Sequence, residues 1–419
     1  MPRYECRVAR IDVDITTHWL LSQMAWASTK LYNTALWDAR MRWERTGKIP
    51  SGFDLQKVVL ASPYHSYLPA HTYQHPAHQV WNAFRAWFKL RKKDKTAHPP
   101  GFRPKAMPST FMVDAFKAID GNTVQITLGP SLREKLSYPD KRLTLHLNWN
   151  TPFPADGKIV QMDIVPKEGY FECHAKITLP EPVWRLEGDV KTIDLGQRNP
   201  VVMAGENGTD IFKGGAILAT LHYWNKEKAR VQSQIMERSG GKRHWSKHLQ
   251  RMSSRGNHQV KQTVHSLSAT IAEMCDKDGT KEVVVGDLGG IKKEKNGQGK
   301  RWNDKSSQNW QQFPVRTLVA QLGYKLARHG IRLSEQDERG TSRGRCSLCG
   351  CMDRSKLHRV HRGLFHCEEC HAYQNADENG AWNQRARYLH QEDKPSMGSS
   401  GRLASPRVWR WDNHRWVVA

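Results

Sequence analysis

The sequence predicts an α+β multidomain chain: a mixed α/β core carrying an inserted four-cysteine zinc ribbon, plus a small β-barrel unit interrupted by helices. Three observations lead there. Between residues 190 and 390, short apolar strands alternate with amphipathic helices. Two CxxC pairs interrupt that alternation near its end, and period-two runs flank a helical stretch in the first half of the chain. The 419 residues leave room for two to three structural units.

Taken in order, residues 4–15 alternate with the period of a strand. From about Thr17 to Lys95 the periodicity is helical, most clearly in Val80, Trp81, Phe84, Trp87 and Phe88. The opposite side of that stripe carries Arg85 and Lys89, and the segment runs out in Arg91, Lys92 and Lys93. An apolar back and a basic front suit a solvated helix first, and after it a helix that meets a polyanion. Pro99, Pro100, Pro104 and Pro108 mark a linker. Residues 123–128, 142–147 and 172–177 read as antiparallel strands, which the first strand joins so that the helices form an insertion.

At residues 190–194 an apolar strand ends on Asp194, and a glycine-containing turn leads to Val201-Val202-Met203, a hairpin that opens a larger sheet. Residues 221–260 hold nine Lys and Arg against two acids, with His222, His244, His248 and His258 among them and Trp224 and Trp245 as stacking platforms, a composition suited to lining a nucleic-acid groove. Val260, Val264, Leu267, Ile271 and Met274 repeat at helical spacing. Residues 282–285 form a buried strand, Val315, Leu318, Val319, Leu322 and Leu326 mark a second amphipathic helix, and Ile331 resumes the sheet. A last helix runs from about Asn375 to His390, and a Ser/Gly-rich tail follows, expected to be mobile unless Trp409, Trp411 and Trp416 dock.

Cys346, Cys349, Cys367 and Cys370 stand as two CxxC pairs separated by 17 residues. Each pair makes a tight knuckle, and two knuckles complete a tetrahedral site for one structural Zn²⁺. Cys351, His358, His361, His366 and His371 crowd the same stretch as alternative ligands. No secretory signal is readable near the N-terminus, so a disulfide framework is disfavoured and a cytoplasmic location expected. With 65 Lys and Arg against 41 Asp and Glu, the formal charge is +24. The basic residues do not share one amphipathic helix, which excludes a membrane surface and favours nucleic acid bound with a steep salt dependence.

Hydrolysis of a phosphodiester by two metal ions needs acids that converge from distant points of the chain. Asp194 at a strand end and Asp377 at a helix start are candidates, although a turn and a helix cap are the better explanation of each taken singly. Taken together, Thr192-Ile193-Asp194, Thr341-Ser342, the cysteine pairs, and the segment from Asn375 through Asp377 to Asn383 resemble the RuvC-like nuclease of the TnpB proteins and the type V CRISPR effectors. The resemblance spans residues 190 to 390 and is looser before them, where the β-unit interrupted by helices, and the segment from Pro100 to Lys105, look like the family's wedge and recognition domains. By compact length the chain is most like TnpB or a miniature effector of the minimal type V-U4 kind.

The resemblance implies a RuvC-like (RNase H-like) core at residues 188–340 and 372–390, a zinc ribbon that binds target nucleic acid at 341–371, and a tail at 391–419. It further implies a wedge-like β domain at 1–16 and 106–187 and a helical recognition domain at 17–105. The implied activity is RNA-guided DNA cleavage with two Mg²⁺ ions, beside a short flanking motif in duplex DNA. One departure matters. Most relatives place a catalytic Glu at the end of the second core strand, where this chain has Val285-Gly286-Asp287-Leu288. Some relatives and the Fanzor proteins carry it just before the Thr-Ser that opens the ribbon, and Glu338 matches that location, with Glu335, Asp337 and Asp287 as competitors.

The metal ligands implied are therefore Asp194, Glu338 and Asp377, with Arg85, Lys89, Arg91, Lys92, Lys93, Arg230, Lys242, Arg243, Lys247, Arg251, Arg343 and Arg345 as nucleic-acid contacts. Two other readings stand beside this one: an inactive RNA-guided protein that blocks transcription, and a zinc-ribbon DNA-binding regulator without RNA.

Overall fold

The computed structural model describes residues 3–92, 94–241, 246–287, 304–361, 363–391 and 406–419. The chain divides into two units, Met1–Glu181 and Pro182–Ala419.

In the first unit β1 (Arg3–Asp12) leads into α1 (Ile15–Thr46), α2 (Gly52–Leu60) and α3 (Ala70–Arg91). Then come β2 (Ser109–Met112), β3 (Phe116–Ala118), β4 (Thr123–Thr127), α4 (Pro130–Leu136), β5 (Arg142–Trp149), β6 (Lys158–Pro166) and β7 (Phe171–Leu179). The strands form one partly barrel-like antiparallel sheet in the order β2-β6-β7-β1-β5-β4-β3. Because β1 pairs with both β5 and β7, the three helices are an excursion from a sheet that closes around the first strand.

The sequence explains the helix limits. Asp14 accepts the Thr17 N–H at 2.6 Å to start α1, and Gly47, at φ 66°, ends it in the left-handed region. Ser51 and Asp54 cap α2 reciprocally. Along α3 the apolar stripe buries Val80, Phe84 and Trp87. Sequence reading missed β2, β3 and β6: the first two are too short to show a period, and β6 is half-buried on both faces, which erases the alternation.

The second unit contains β8 (Asp189–Asp194), β9 (Val201–Gly205), β10 (Gly208–Phe212), α5 (Gly215–Arg238), α6 (Lys247–Lys277), β11 (Thr280–Gly286), α7 (Asp304–Gln312), α8 (Val315–Arg328) and β12 (Arg332–Gln336). A separate three-stranded sheet follows, β13 (Leu357–His361), β14 (Leu364–Cys367) and β15 (Ala372–Asn375), then α9 (Ala376–Tyr388), β16 (Arg407–Trp411) and β17 (Trp416–Val418). The large sheet runs β12-β11-β8-β9-β10-β16-β17, with β8, β11 and β12 parallel.

Alternation sends neighbouring residues to opposite faces of this sheet. Ile193, Val283 and Val285 pack with Leu267 and Ile271 of α6 and Leu322 of α8. Thr192 points the other way, donating to the Ala381 carbonyl of α9 at 2.7 Å, and Asp194 shares its parity. The α6 helix starts thirteen residues before the periodic stripe that announced it, because its first turns pack against α5 instead of the sheet.

The strand after Ile331 resumes the sheet as the sequence predicts, but it does not adjoin the first core strand: β11 lies between β12 and β8. A parallel strand reached through a helical crossover settles against its predecessor, here β11. In the tail, expected to be mobile unless its tryptophans dock, the described residues 406–419 do dock, and β16 pairs in parallel with β10. Arg407 holds Asp210 through two hydrogen bonds of 2.8 Å, Trp409 stacks on Phe212 with centroids 5.3 Å apart, and Trp416 is buried.

Candidate active site and zinc centre

The ribbon brings the Sγ atoms of Cys346, Cys349, Cys367 and Cys370 all within 4.8 Å of one another. Cys346 to Cys370 and Cys349 to Cys367 are each 3.7 Å. A tetrahedron with Zn–S bonds of about 2.3 Å has edges of about 3.8 Å, so this donor set fits zinc. Cys351 uses its backbone, accepting the Cys346 N–H at 2.9 Å. His358 pairs with Glu368 at 2.7 Å, and His366 stacks on Tyr373 with centroids 4.2 Å apart.

The root of the ribbon is tied to α9 by buried amides. Asn379 accepts the Ser347 N–H and the Gln374 amide, both at 2.8 Å, and donates to the Arg345 carbonyl at 2.9 Å. Asn383 donates to the Thr341 and Arg345 carbonyls at 2.8 Å. These two amides join the ribbon to the helix that carries Asp377.

Asn375 is the cap of α9, accepting the Asp377 N–H at 2.9 Å. Asp377 therefore does not cap its own helix. Its carboxylate accepts from Asn199 Nδ2 at 2.8 Å and lies 3.8 Å from Arg359. Asn199 in turn accepts from Lys213 at 3.2 Å. Opposite stands Asp194. Gly380 admits it, since a Cβ there would come within 2.7 Å of Asp194 Oδ2. Burial raises the Asp194 pKa well above the ordinary carboxylate value, followed by the charges of Asp377 and Glu338, while Arg359 pulls it down.

Glu338 lies past the end of β12, where Thr341 closes a turn on its carbonyl with a 2.8 Å hydroxyl hydrogen bond. Its Oε2 is buried without a hydrogen-bond partner. Burial, then Asp287 and Asp337, push its pKa up to about 7. A buried carboxylate oxygen lacking a donor is costly unless a cation meets it, and hard oxygen donors of this kind suit Mg²⁺. Glu335, Asp337 and Asp287 are exposed by comparison.

Sequence reading missed two residues of this region. Gln384 of α9 is buried, and its amide, oriented with nitrogen toward the Ile193 carbonyl (3.1 Å) and oxygen toward the Gly286 N–H (2.9 Å), clips β8 to β11 beside Asp194. Gly286 itself registered only as a missing acid. Clefts flank the acids: one of about 630 Å³ includes Arg198, Lys213, Arg359 and Asp377, and one of about 1060 Å³ includes Asp287, Arg316 and Glu335.

The expected nucleic-acid contacts scatter. Arg85 and Arg91 are exposed and lie over the rings of Trp81 and Trp87, and Lys89 and Lys92 are exposed beside them. Arg230 pairs with Glu227 at 3.0 Å. Lys247 and Arg251 are exposed on α6, and Arg343 is exposed on the ribbon. Arg345 instead is buried and donates to Asn383 at 3.1 Å, a tether rather than a surface cation. Trp224, expected as a stacking platform, packs over Gly256 and donates to Gln259 at 2.7 Å. Lys93, Lys242, Arg243 and Trp245 lie outside the described residues.

Residues 177–292 match the OrfB IS605 family, described as a probable transposase, and residues 316–384 match the family described as Cas12f1-like, TNB domain. The chain resembles the TnpB proteins and the miniature type V effectors. The first segment matched in this TnpB-like chain includes Asp194, and the second includes Glu338, the four cysteines and Asp377. Similar solved structures include a Cas12f1–sgRNA–target DNA complex, at 15% identity over 90% of this chain and 98% of that one, with a TM-score of 0.34. Another is the mini RNA-guided endonuclease CRISPR-Cas phi3, at 11% identity over 95% and 94% of the two chains, with a TM-score of 0.41. No curated protein matches the chain.

Proposed function

We propose that this protein is a cytoplasmic, prokaryotic RNA-guided DNA endonuclease. Asp194, Glu338 and Asp377 hold two Mg²⁺ ions, and the cysteine ribbon holds one structural Zn²⁺. The observation that carries the reading is the crowding of negative charge onto buried Asp194 by acids from two other elements: Asp377 and Glu338 both raise its pKa, while Glu338 Oε2 is left without a partner. A structural carboxylate finds a donor; this arrangement costs stability and is explained by a ligand that supplies positive charge. When bound, the metal pair activates water and stabilises the leaving oxygen. The chain's own part is to deliver three deprotonated oxygens, to hold Asp377 through the Lys213–Asn199 chain, and to offer Arg359 and Arg198 to a strand phosphate in the flanking cleft.

The guide RNA and the target duplex beside its flanking motif are the proposed partners, with Arg85, Lys89, Arg91 and Lys92 among the backbone contacts and residues 1–16 with 106–187 acting as wedge around the recognition helices of 17–105. The test is to purify the ribonucleoprotein, sequence its RNA, and incubate it with duplex that matches that RNA. Mg²⁺-dependent cutting that disappears in Asp194→Ala supports the reading. Tight binding with intact DNA favours the transcriptional blocker, and a preparation free of RNA favours the regulator. Spacer-repeat RNA marks a CRISPR effector; RNA from a transposon end marks a TnpB.

A further inference from the structure

We propose that Gly286 decides which strand supplies the third carboxylate: its bare backbone is the gap through which Glu338 reaches Asp194, and the site takes an acid from 286 or from 338 but not from both. This rests on the three-carboxylate reading above.

The geometry begins with register. Val285 of β11 pairs with Ile193 of β8, so Gly286 stands beside Asp194 on the face toward α9. Gly286 pairs on its other side with Gln336, two residues before Glu338. An acid leaving β12 must therefore pass over the end of β11 to meet Asp194. At that crossing point the chain has no side chain. A Cβ on Gly286 would overlap Glu338 Oε2 and stand 2.9 Å from its Cδ and 3.1 Å from its Cβ.

Backbone conformation does not require this glycine, because Gly286 belongs to β11 and is absent from the positive-φ positions. What the position needs is the missing Cβ. The strand end cannot yield, since the Gln384 amide holds the Gly286 N–H at 2.9 Å and the Ile193 carbonyl at 3.1 Å. The atoms in the way are the far end of a glutamate whose Oε2 has no hydrogen-bond partner. Adding a methyl at 286 thus displaces the carboxylate and leaves the sheet standing. A glutamate at 286 starts from the space that Glu338 vacates and points along the same face as Asp194.

Full-length Gly286→Ala, Glu338→Ala, Gly286→Ala/Glu338→Ala and Gly286→Glu/Glu338→Ala, each purified with its RNA, test this by Mn²⁺ titration, thermal melting and cleavage. Gly286→Ala should weaken Mn²⁺ binding by at least about tenfold, as Glu338→Ala does. The methyl should also lower the melting temperature less in the Glu338→Ala background than alone, because the overlap is then gone. Gly286→Glu/Glu338→Ala should recover most of the Mn²⁺ affinity and measurable cutting.

Wild-type binding and cutting in Gly286→Ala overturn the proposal while the nuclease reading stands. So do additive melting shifts, or a swapped variant no better than Glu338→Ala. If Mn²⁺ binding in the wild type does not depend on Asp194, the nuclease reading itself falls.

Discussion

The second unit holds two clusters built on opposite plans, the four cysteines and the three acids proposed above as metal ligands. The cysteines lie within 25 residues of one another, and their sulfurs are already at zinc spacing. The acids come from β8, from the turn after β12 and from α9, more than 180 residues apart at the extremes, and Asp377 and Glu338 both raise the pKa of Asp194. The ribbon spends its ligands on folding. The acids are a burden on folding that the rest of the sheet offsets. A group that stabilises the chain and one that strains it respond oppositely to substitution, and that contrast can be broken experimentally.

The largest expected effect is on cutting. Asp194→Asn or Asp377→Asn should lower cleavage by about a thousandfold or more, with RNA still bound and the metal-free melting temperature unchanged or higher. A fall in melting temperature equal to that of a cysteine variant would erase the distinction between the two sites.

Cys346→Ser should behave the other way, lowering the melting temperature by on the order of 10 °C or leaving the protein insoluble, because the zinc contributes folding free energy. A strong chelator added to the wild type should reproduce the effect, read by calorimetry alongside zinc analysis.

The acids also predict a pH response. Glu338 has a folded pKa of about 7 against an ordinary 4.5, and Asp194 shifts in the same direction. The native state therefore holds protons that the unfolded chain releases. The contribution of these two acids to metal-free stability is fully present below about 4.5 and is lost as pH rises through about 7. Cutting should run opposite, rising up to about tenfold per pH unit below about 7 and then levelling. A melting curve that ignores pH across this window, or one whose slope survives Glu338→Gln, refutes the account.

The smallest effect is at the tether. Asn379→Ala removes a buried amide with several partners at a cost of about 2–3 kcal/mol, lowering the melting temperature by several degrees. Cleavage should fall with it if ribbon and Asp377 act as one body; unaltered cutting would separate them.

The sequence made the ribbon fully legible because its ligands are local and chemically distinctive. Asp194 and Asp377, each better read singly as a turn former or a helix cap, stood out only together with the surrounding motifs. Glu338 came only through resemblance, since nothing in its immediate neighbours separates it from Glu335 or Asp337; what separates it is burial. Sequence could show that an acid was absent at Gly286 but not that the vacant Cβ matters, because that depends on the register of β11 with two neighbours. Arg345 was misplaced for a similar reason: a cation beside a ribbon reads as surface until the Asn383 acceptor is seen. The closing strands β16 and β17 were hidden by the Ser/Gly stretch before them, although their tryptophans hinted at docking.

The amides of Asn379 and Asn383 limit how a nucleic acid can gain access to the acids. Swinging the ribbon aside would break a whole set of enclosed hydrogen bonds on the same helix that presents Asp377. Such an opening would also dismantle the floor of the proposed site, so the ribbon stands as a fixed wall and not as a door. On the proposed reading, a strand to be cut must thread along that wall.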